Sequence, residues 1–147
     1  MIVDIHDVEH GACAVITAPS GKRLMIDCGH NSATGWRPSL AYGRVPMDEL
    51  VISNYDEDHV SDLPNVRSQV PIRIITRNTS VAASDLARLK MENSMGKGIE
   101  SLHAWMASSP PPASLVGGDP DYGDMKVRHF ANRFPDFDDE NNLSIVT

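Results

Sequence analysis

The stretch Met47–Leu63, MDELVISNYDEDHVSDL, decides how the rest of the chain is read. Leu50, Val51 and Ile52 form a short apolar run, which is the pattern of a buried strand reaching about Ser53. A dense polar cluster follows at once: Asn54, Asp56, Glu57, Asp58 and His59. Val60 and Leu63 then fall at helical spacing, with Asp58 placed to cap that helix. The cluster therefore belongs on the loop that leaves a strand's C-terminal end and enters a helix, where layered α/β structures bind ligands. Neighbouring carboxylates repel one another unless a cation or solvent neutralises them. Oxygen ligands at i and i+2 beside an imidazole can converge on a divalent metal. The same pattern also describes a helix cap with a solvated acidic turn.

Working outward, Ile2–Val8 alternates as a strand, and His10-Gly11 makes a turn. Ala12–Ala18 and Arg23–Asp27 are apolar runs on either side of Pro19-Ser20-Gly21-Lys22, which predicts an antiparallel hairpin. Cys28–Asn31 is a polar loop, and Trp36–Arg44 a short helix or irregular segment. Val70–Thr76 reads as a fifth strand starting near Pro71. Asn78 or Ser80 can cap a helix running to about Glu92, which Gly96 and Gly98 interrupt before a further helical stretch over Ile99–Met106. Ser108–Ala113, SSPPPA, is a stiff connection. Met125–Phe130 alternates as a sixth strand, Arg133–Glu140 is an acidic loop, and Leu143–Val146 begins a seventh strand. Strands first, then strands alternating with helices, make a layered α/β (α+β) domain with a mixed sheet and flanking helices.

The chain has 147 residues, the size of one domain with a real core. Its formal net charge of −7 argues against nucleic-acid binding through a basic surface. A phosphate substrate remains compatible with that charge, since a bound metal supplies local positive charge. No apolar run approaches membrane-spanning length, and the N-terminus lacks the features of a signal peptide. Cys13 and Cys28 lie in or beside strand-like runs without a close Cys-x-x-Cys partner. They read as two buried thiols, which fits a reducing cytoplasm.

Three motifs together carry a resemblance. DVEHGACAVI (Asp7–Ile16) followed by GKRLMIDCG (Gly21–Gly29) resembles the opening of metallo-β-lactamase-fold hydrolases, often DVGxGDxxLI and ILIDxG. SNYDEDHVSDL (Ser53–Leu63) resembles their HxHxDH signature. It is most similar to the HxDxDHxxGL form of the ComEC-type hydrolase domains of DNA-uptake proteins, and NNLSIV (Asn141–Val146) resembles that variety's NxxSLVL strand. The resemblance spans nearly the whole chain. It implies the N-terminal half of a metallo-β-lactamase-like sandwich, a single domain over residues 1–147 that stops before the C-terminal half.

Residue by residue, the resemblance implies a metal set of Asn54, Asp56, Asp58 and His59. Asp58 and His59 match the DH pair, and Asp58 also takes the role of orienting the nucleophile. Asp56 matches the second histidine position, an aspartate in the ComEC-like variety, and Asn54 falls where the first histidine belongs. Asp27 matches a supporting acidic residue. Glu9, Ala12 and Asp62 depart from the pattern, and the bridging aspartate and final histidine of the family have no counterpart. An amide is a weak ligand, so this set implies a divalent metal, Zn²⁺ or Mn²⁺, held weakly or not at all. The implied reaction is metal-dependent hydrolysis of a phosphodiester or nucleic acid. The alternatives are a degenerate hydrolase-fold module used for binding, and an unrelated α/β domain whose acidic loop takes Mg²⁺ or Ca²⁺. A half-sandwich also exposes an apolar sheet, which predicts self-association or a larger assembly. The remaining candidates are bland. His6, His30 and His103 read as ordinary strand, loop and helix residues, and His129 is open to either the site or solvent. Arg73, Arg77 and Lys90 either meet phosphate or solvate a surface.

Overall fold

The computed structural model describes residues 1–90, 95–108, 120–139 and 141–147. Its frame is a five-stranded sheet of β1 (Ile2–Ile5), β2 (Ala14–Thr17), β3 (Arg23–Ile26), β4 (Glu49–Val51) and β5 (Ile75–Thr76), in that spatial order. The β2–β3 hairpin sets Ala14 opposite Ile26 and Thr17 opposite Arg23. Its turn passes through Gly21 at φ +84°, a backbone state that glycine enters without steric cost. β1 pairs antiparallel with β2, while β3, β4 and β5 pair in parallel. Parallel neighbours need a crossover. The segment containing α1 (Pro38–Ala41) joins β3 to β4, and α2 (Glu57–Val60) with α3 (Leu63–Gln69) joins β4 to β5. The helices α4 (Ala83–Leu89) and α5 (Lys97–Ala107) follow.

Strand periodicity assigns the two faces of the sheet. Val15, Met25, Leu50 and Ile75 share one buried cluster with Val60, Leu63, Val66, Leu86, Ile99 and Leu102 of the helices. On the opposite face Leu24 and Val51 pack with Tyr122 and Ile145 from the chain's last third. A two-stranded ribbon, β6 (Phe130–Ala131) with β7 (Ile145–Val146), belongs to that same third. Asn78 ties this region to the core by donating to the carbonyls of Asn132 and Leu143.

Several elements are shorter than their sequence patterns. β1 stops at Ile5, although the His6 N–H still bonds the Cys13 carbonyl. The predicted strand Val70–Thr76 contracts to Ile75–Thr76 plus a single bridge between Met47 and Ile72, because Val70 ends α3 as its C-cap. Met125–Phe130 is extended only at Phe130–Ala131, and the last strand begins at Ile145 rather than Leu143. Neither Asn78 nor Ser80 caps α4. The helix starts after Ala82, whose N–H is held by the Asp85 carboxylate, and Asn78 instead accepts bonds from the Ser80 N–H and hydroxyl. Gly98 lies inside α5 rather than breaking a helix. Glu92, Glu140 and the greater part of Ser108–Ala113 lie outside the described residues.

One polar cluster sits within the sheet. Glu49 of β4 is fully buried and accepts hydrogen bonds from the Thr76 hydroxyl and, at 2.8 Å, the Tyr122 hydroxyl. His129 Nε2 lies 3.0 Å from Glu49 Oε1, a charge contact without hydrogen-bond alignment. Burial alone would push the Glu49 carboxyl up. The groups of His129, Thr76 and Tyr122 outweigh it and hold the pKa below the ordinary value. A depressed carboxylate contributes stability above its unfolded pKa and loses it as pH falls through the folded value. Tyr122→Phe leaves Glu49 one donor short, so it should cost about 1–3 kcal/mol. It should also move acid unfolding to higher pH. Urea titrations from pH 3 to 7 check both, and a variant with unchanged acid behaviour would contradict this role for Glu49.

Candidate functional site

The site is built where β3 and β4 end side by side. Asp27, the residue after β3, donates its N–H to the Val51 carbonyl at 2.8 Å and turns the chain at φ +57°. That left-handed conformation is uncommon for a residue with a Cβ, and aspartate is among the few that tolerate it. The turn buries the carboxylate, at 1% exposure, and aims it across at the end of β4. Asp27 Oδ1 accepts the Ser53 N–H at 2.7 Å, and Oδ2 accepts the Ser53 hydroxyl. Oδ2 also lies 2.9 Å from His59 Nδ1. The hydrogen bond that Asp27 accepts from the imidazole raises the pKa of His59. Burial opposes the rise, and the charges of Asp27, Asp58 and Asp56 add to it. The imidazole is thus gripped at Nδ1, with Nε2 left as the ring nitrogen for another partner.

Asp58 is placed through its backbone. Gly11 and Gly29 come from two different loops and both close on the Asp58 carbonyl. A Cβ on Gly11 would stand 2.1 Å from that oxygen, and one on Gly29 would stand 2.2 Å from it. Only a residue without a side chain permits this approach. Next to these contacts the Cys28 N–H donates to the His59 carbonyl at 2.8 Å. The first turn of α2 is therefore docked onto the turns that follow β1 and β3. Asp58 lies inside this turn rather than capping it. The N-cap position belongs to Asp56, whose side chain makes no capping bond.

The three consecutive acids meet three different fates. Glu57 accepts the N–H groups of Gly98 and Ile99, both at 2.9 Å, and so answers the N-terminus of α5. Asp56 pairs with the ammonium of Lys90 at 2.9 Å. The Asp58 carboxylate forms no ion pair or hydrogen bond among the described residues. Asn54 is buried at 8% exposure. Its Nδ2 donates to Asn141 Oδ1 at 3.3 Å, while its Oδ1 has no hydrogen-bond partner.

These facts test the expected metal set one residue at a time. His59, gripped by Asp27, and the unpaired Asp58 have the chemistry that a divalent ion needs. Asp56 faces an ammonium, and Asn54 offers a neutral amide oxygen. Among the described residues no three His, Cys, Asp or Glu side chains converge as an ion cage. The donor set fits at Asp58 and His59 and does not fit at Asn54 and Asp56.

The other candidates settle elsewhere. His30 bonds the Ser61 hydroxyl through its N–H at 3.0 Å and its Nδ1 at 2.7 Å. His6 stacks on Trp36 at 4.3 Å and meets the Tyr42 hydroxyl, and His129 joins the Glu49 cluster instead of the loop. Cys13 and Cys28 are free, buried thiols, and burial pushes the Cys13 pKa up to about 12. Arg77 donates to the carbonyls of Asn78 and Val81. Asp62, which departs from the motif that the sequence resembles, is fully buried. It accepts the Ser39 N–H and pairs with Arg37, fixing α1 against the start of α3. Lys90 is the neighbour that the sequence does not reveal. It lies 34 positions from Asp56, and no spacing rule links the two.

A histidine whose folded pKa is raised contributes stability that is fully present below its unfolded value, near 6.5. That contribution is lost as pH rises through the folded value. Denaturant unfolding between pH 5 and 9 should therefore show a fall in stability beginning above about pH 6.5 that His59→Gln removes. The same slope in both proteins would show that the Asp27–His59 contact does not perturb the imidazole.

A profile of the metallo-beta-lactamase superfamily matches residues 6–142, which takes in both glycine turns, the Asp27 turn, the acidic loop and α2. No curated protein matches the chain. Members of that superfamily share a hydrolase fold and generally bind divalent metals. By this match over nearly its whole length, the chain belongs to the metallo-beta-lactamase superfamily.

Proposed function

We propose that the chain carries the fold and part of the ligand set of a metal-dependent phosphodiester hydrolase, nuclease-like in kind as are the ComEC-type domains it resembles, with the activity itself depending on a complete ligand set. In this reading Asp58 and His59 are its principal metal ligands. The observation that supports it best is the Asp27–His59 contact of 2.9 Å, with Asp27 itself fixed by two bonds from Ser53. A ligating imidazole needs this kind of acceptor on its second nitrogen, which sets its tautomer and its direction. A bound divalent ion would lower the pKa of a water and polarise a phosphoryl oxygen. The chain's own part is to hold the imidazole through Asp27 and to pin Asp58 by its carbonyl against Gly11 and Gly29. The carboxylate-rich set favours Mn²⁺ or Zn²⁺ over a thiolate-type zinc site. The buried thiols Cys13 and Cys28 suit a reducing compartment, and we place the protein in the cytoplasm.

Two protein ligands are fewer than the three that catalytic zinc sites usually have. Calorimetric titration with Mn²⁺ and Zn²⁺ should therefore show weak binding, and phosphodiesterase activity should stay near background. Asn54→His should tighten binding, and Asp58→Ala with His59→Ala should abolish it. Tight stoichiometric binding that survives the loss of Asp58 and His59 would put the site elsewhere.

The ammonium on Asp56 favours a second reading, a hydrolase-fold module that binds or assembles rather than catalyses. Its surface would be the sheet edge. All four residues of β1 are exposed, Ile2 at 61% and Ile5 at 80%. An apolar edge strand of this kind readily pairs with another chain. Light scattering at micromolar concentration should then report a species larger than a monomer, and Ile5→Lys should return it to monomer. A compact monomer for the unmodified chain would count against assembly through β1.

A further inference from the structure

We propose that His30, Arg37 and Lys97 frame an anion pocket beside the Asp58 loop, and that it takes a phosphate group of the substrate next to the one cleaved. That this phosphate belongs to a phosphodiester rests on the hydrolase reading; the pocket itself does not.

A cavity of about 410 Å³ opens between the turn after β3, the start of α1 and the first turns of α3 and α5. His30, Arg37, Ser61, Asn65 and Lys97 stand in its wall, together with Glu57. Ser61 follows Asp58 by three positions, and Gly29, just before His30, closes on the Asp58 carbonyl. The cavity thus adjoins the candidate site at the C-terminal end of a parallel strand, the end at which such sheets bind ligands.

Its donors come from three separate segments and are only partly used. Ser61 Oγ accepts the His30 N–H at 3.0 Å and lies 2.7 Å from His30 Nδ1. With the oxygen accepting that N–H, its own proton goes to Nδ1, which leaves the ring proton on Nε2 as a donor. Among the described residues Arg37 bonds through Nη1 alone, to Asp62, so the rest of its planar fork stays available. Lys97 is exposed and forms no ion pair or hydrogen bond among the described residues. The acids at hand are already answered. Glu57 accepts the N–H groups of Gly98 and Ile99, and Asp62 accepts the Ser39 N–H and the Arg37 guanidinium. A phosphate oxygen meets such charged donors with strong hydrogen bonds. In a chain of formal net charge −7, a pocket with these donors also fixes where a polyanion can approach.

The test uses the full chain in EDTA, with inorganic phosphate and a single-stranded oligothymidylate as probes. In amide NMR spectra, phosphate should shift His30, Ser61, Asn65 and Lys97, and chloride at equal ionic strength should not. The single strand should shift the same amides. Lys97→Met should weaken strand binding about threefold. It should also reduce the slope of log affinity against log salt by about 0.7, one phosphate contact on a single strand. Lys97→Arg should restore both. Lys126→Met removes the same charge from the segment whose Met125 and Val127 pack on the opposite face, and should leave the slope unchanged. Strand binding with shifts elsewhere and no response to Lys97→Met would overturn the pocket and leave the phosphodiester reading standing. Phosphate shifts at the pocket without strand binding would keep the pocket and overturn its link to a phosphodiester. No shift with either probe would overturn the proposal outright.

Discussion

Asp27 closes β3 in a left-handed turn that buries its carboxylate, and that carboxylate is then shared between two other elements. Ser53 at the end of β4 gives it an N–H and a hydroxyl, and His59 from α2 gives it a ring nitrogen. A buried carboxylate without donors would be costly, so these groups must gather where Asp27 points. Strand ends and helix start are thereby held in one arrangement. The strained φ is maintained because three bonds outweigh it. Around this anchor Gly11 and Gly29 allow two loops to close on the Asp58 carbonyl. The loop's geometry is therefore fixed from beneath by Asp27 and from the side by backbone packing.

The opposite face of the sheet follows the same logic with different groups. Glu49 begins β4 and points away from the helices toward Tyr122 and His129. Val51 and Leu24 on that face pack with Tyr122 and Ile145. One strand of three residues therefore carries an acid that holds the chain's last third and leads directly into the loop that holds the candidate site. Both features sit on β4, which pairs in parallel with β3 on one side and β5 on the other.

Much of this was legible in residues 12–27 and 50–63. Two β-branched runs around a Pro-Ser-Gly-Lys turn specify a hairpin locally, and an apolar triplet before a polar cluster marks a strand leaving the core. Those signals are short-range, and so is the physics behind them. Strand lengths were less legible. Met125–Phe130 alternates as a strand should, yet only its last residue pairs, because a ladder requires a partner whose position no local pattern encodes. Asn78 has the chemistry of a helix cap, and its side chain is instead drawn to carbonyls 54 and 65 positions away. Lys90 read as either a phosphate contact or a surface lysine. Its burial and its contact with Asp56 depend on how α4 and α2 each pack against α5, which the sequence of no one helix states.

The acidic residues of the loop show why composition alone misjudges such a site. Asp56, Glu57, Asp58 and Asp62 read as one patch of negative charge in need of a cation. In the fold each meets a different environment: an ammonium, a helix N-terminus, no partner among the described residues, and a half-exposed arginine with backbone support. Asp62 is the plainest case. It pairs with Arg37 and accepts the Ser39 N–H, and so fixes α1 to α3; its role in the fold is architectural. The question for metal affinity is therefore how many carboxylates remain unanswered once the helices have packed. Within this loop that number is set at Asp58, beside an imidazole already oriented by Asp27.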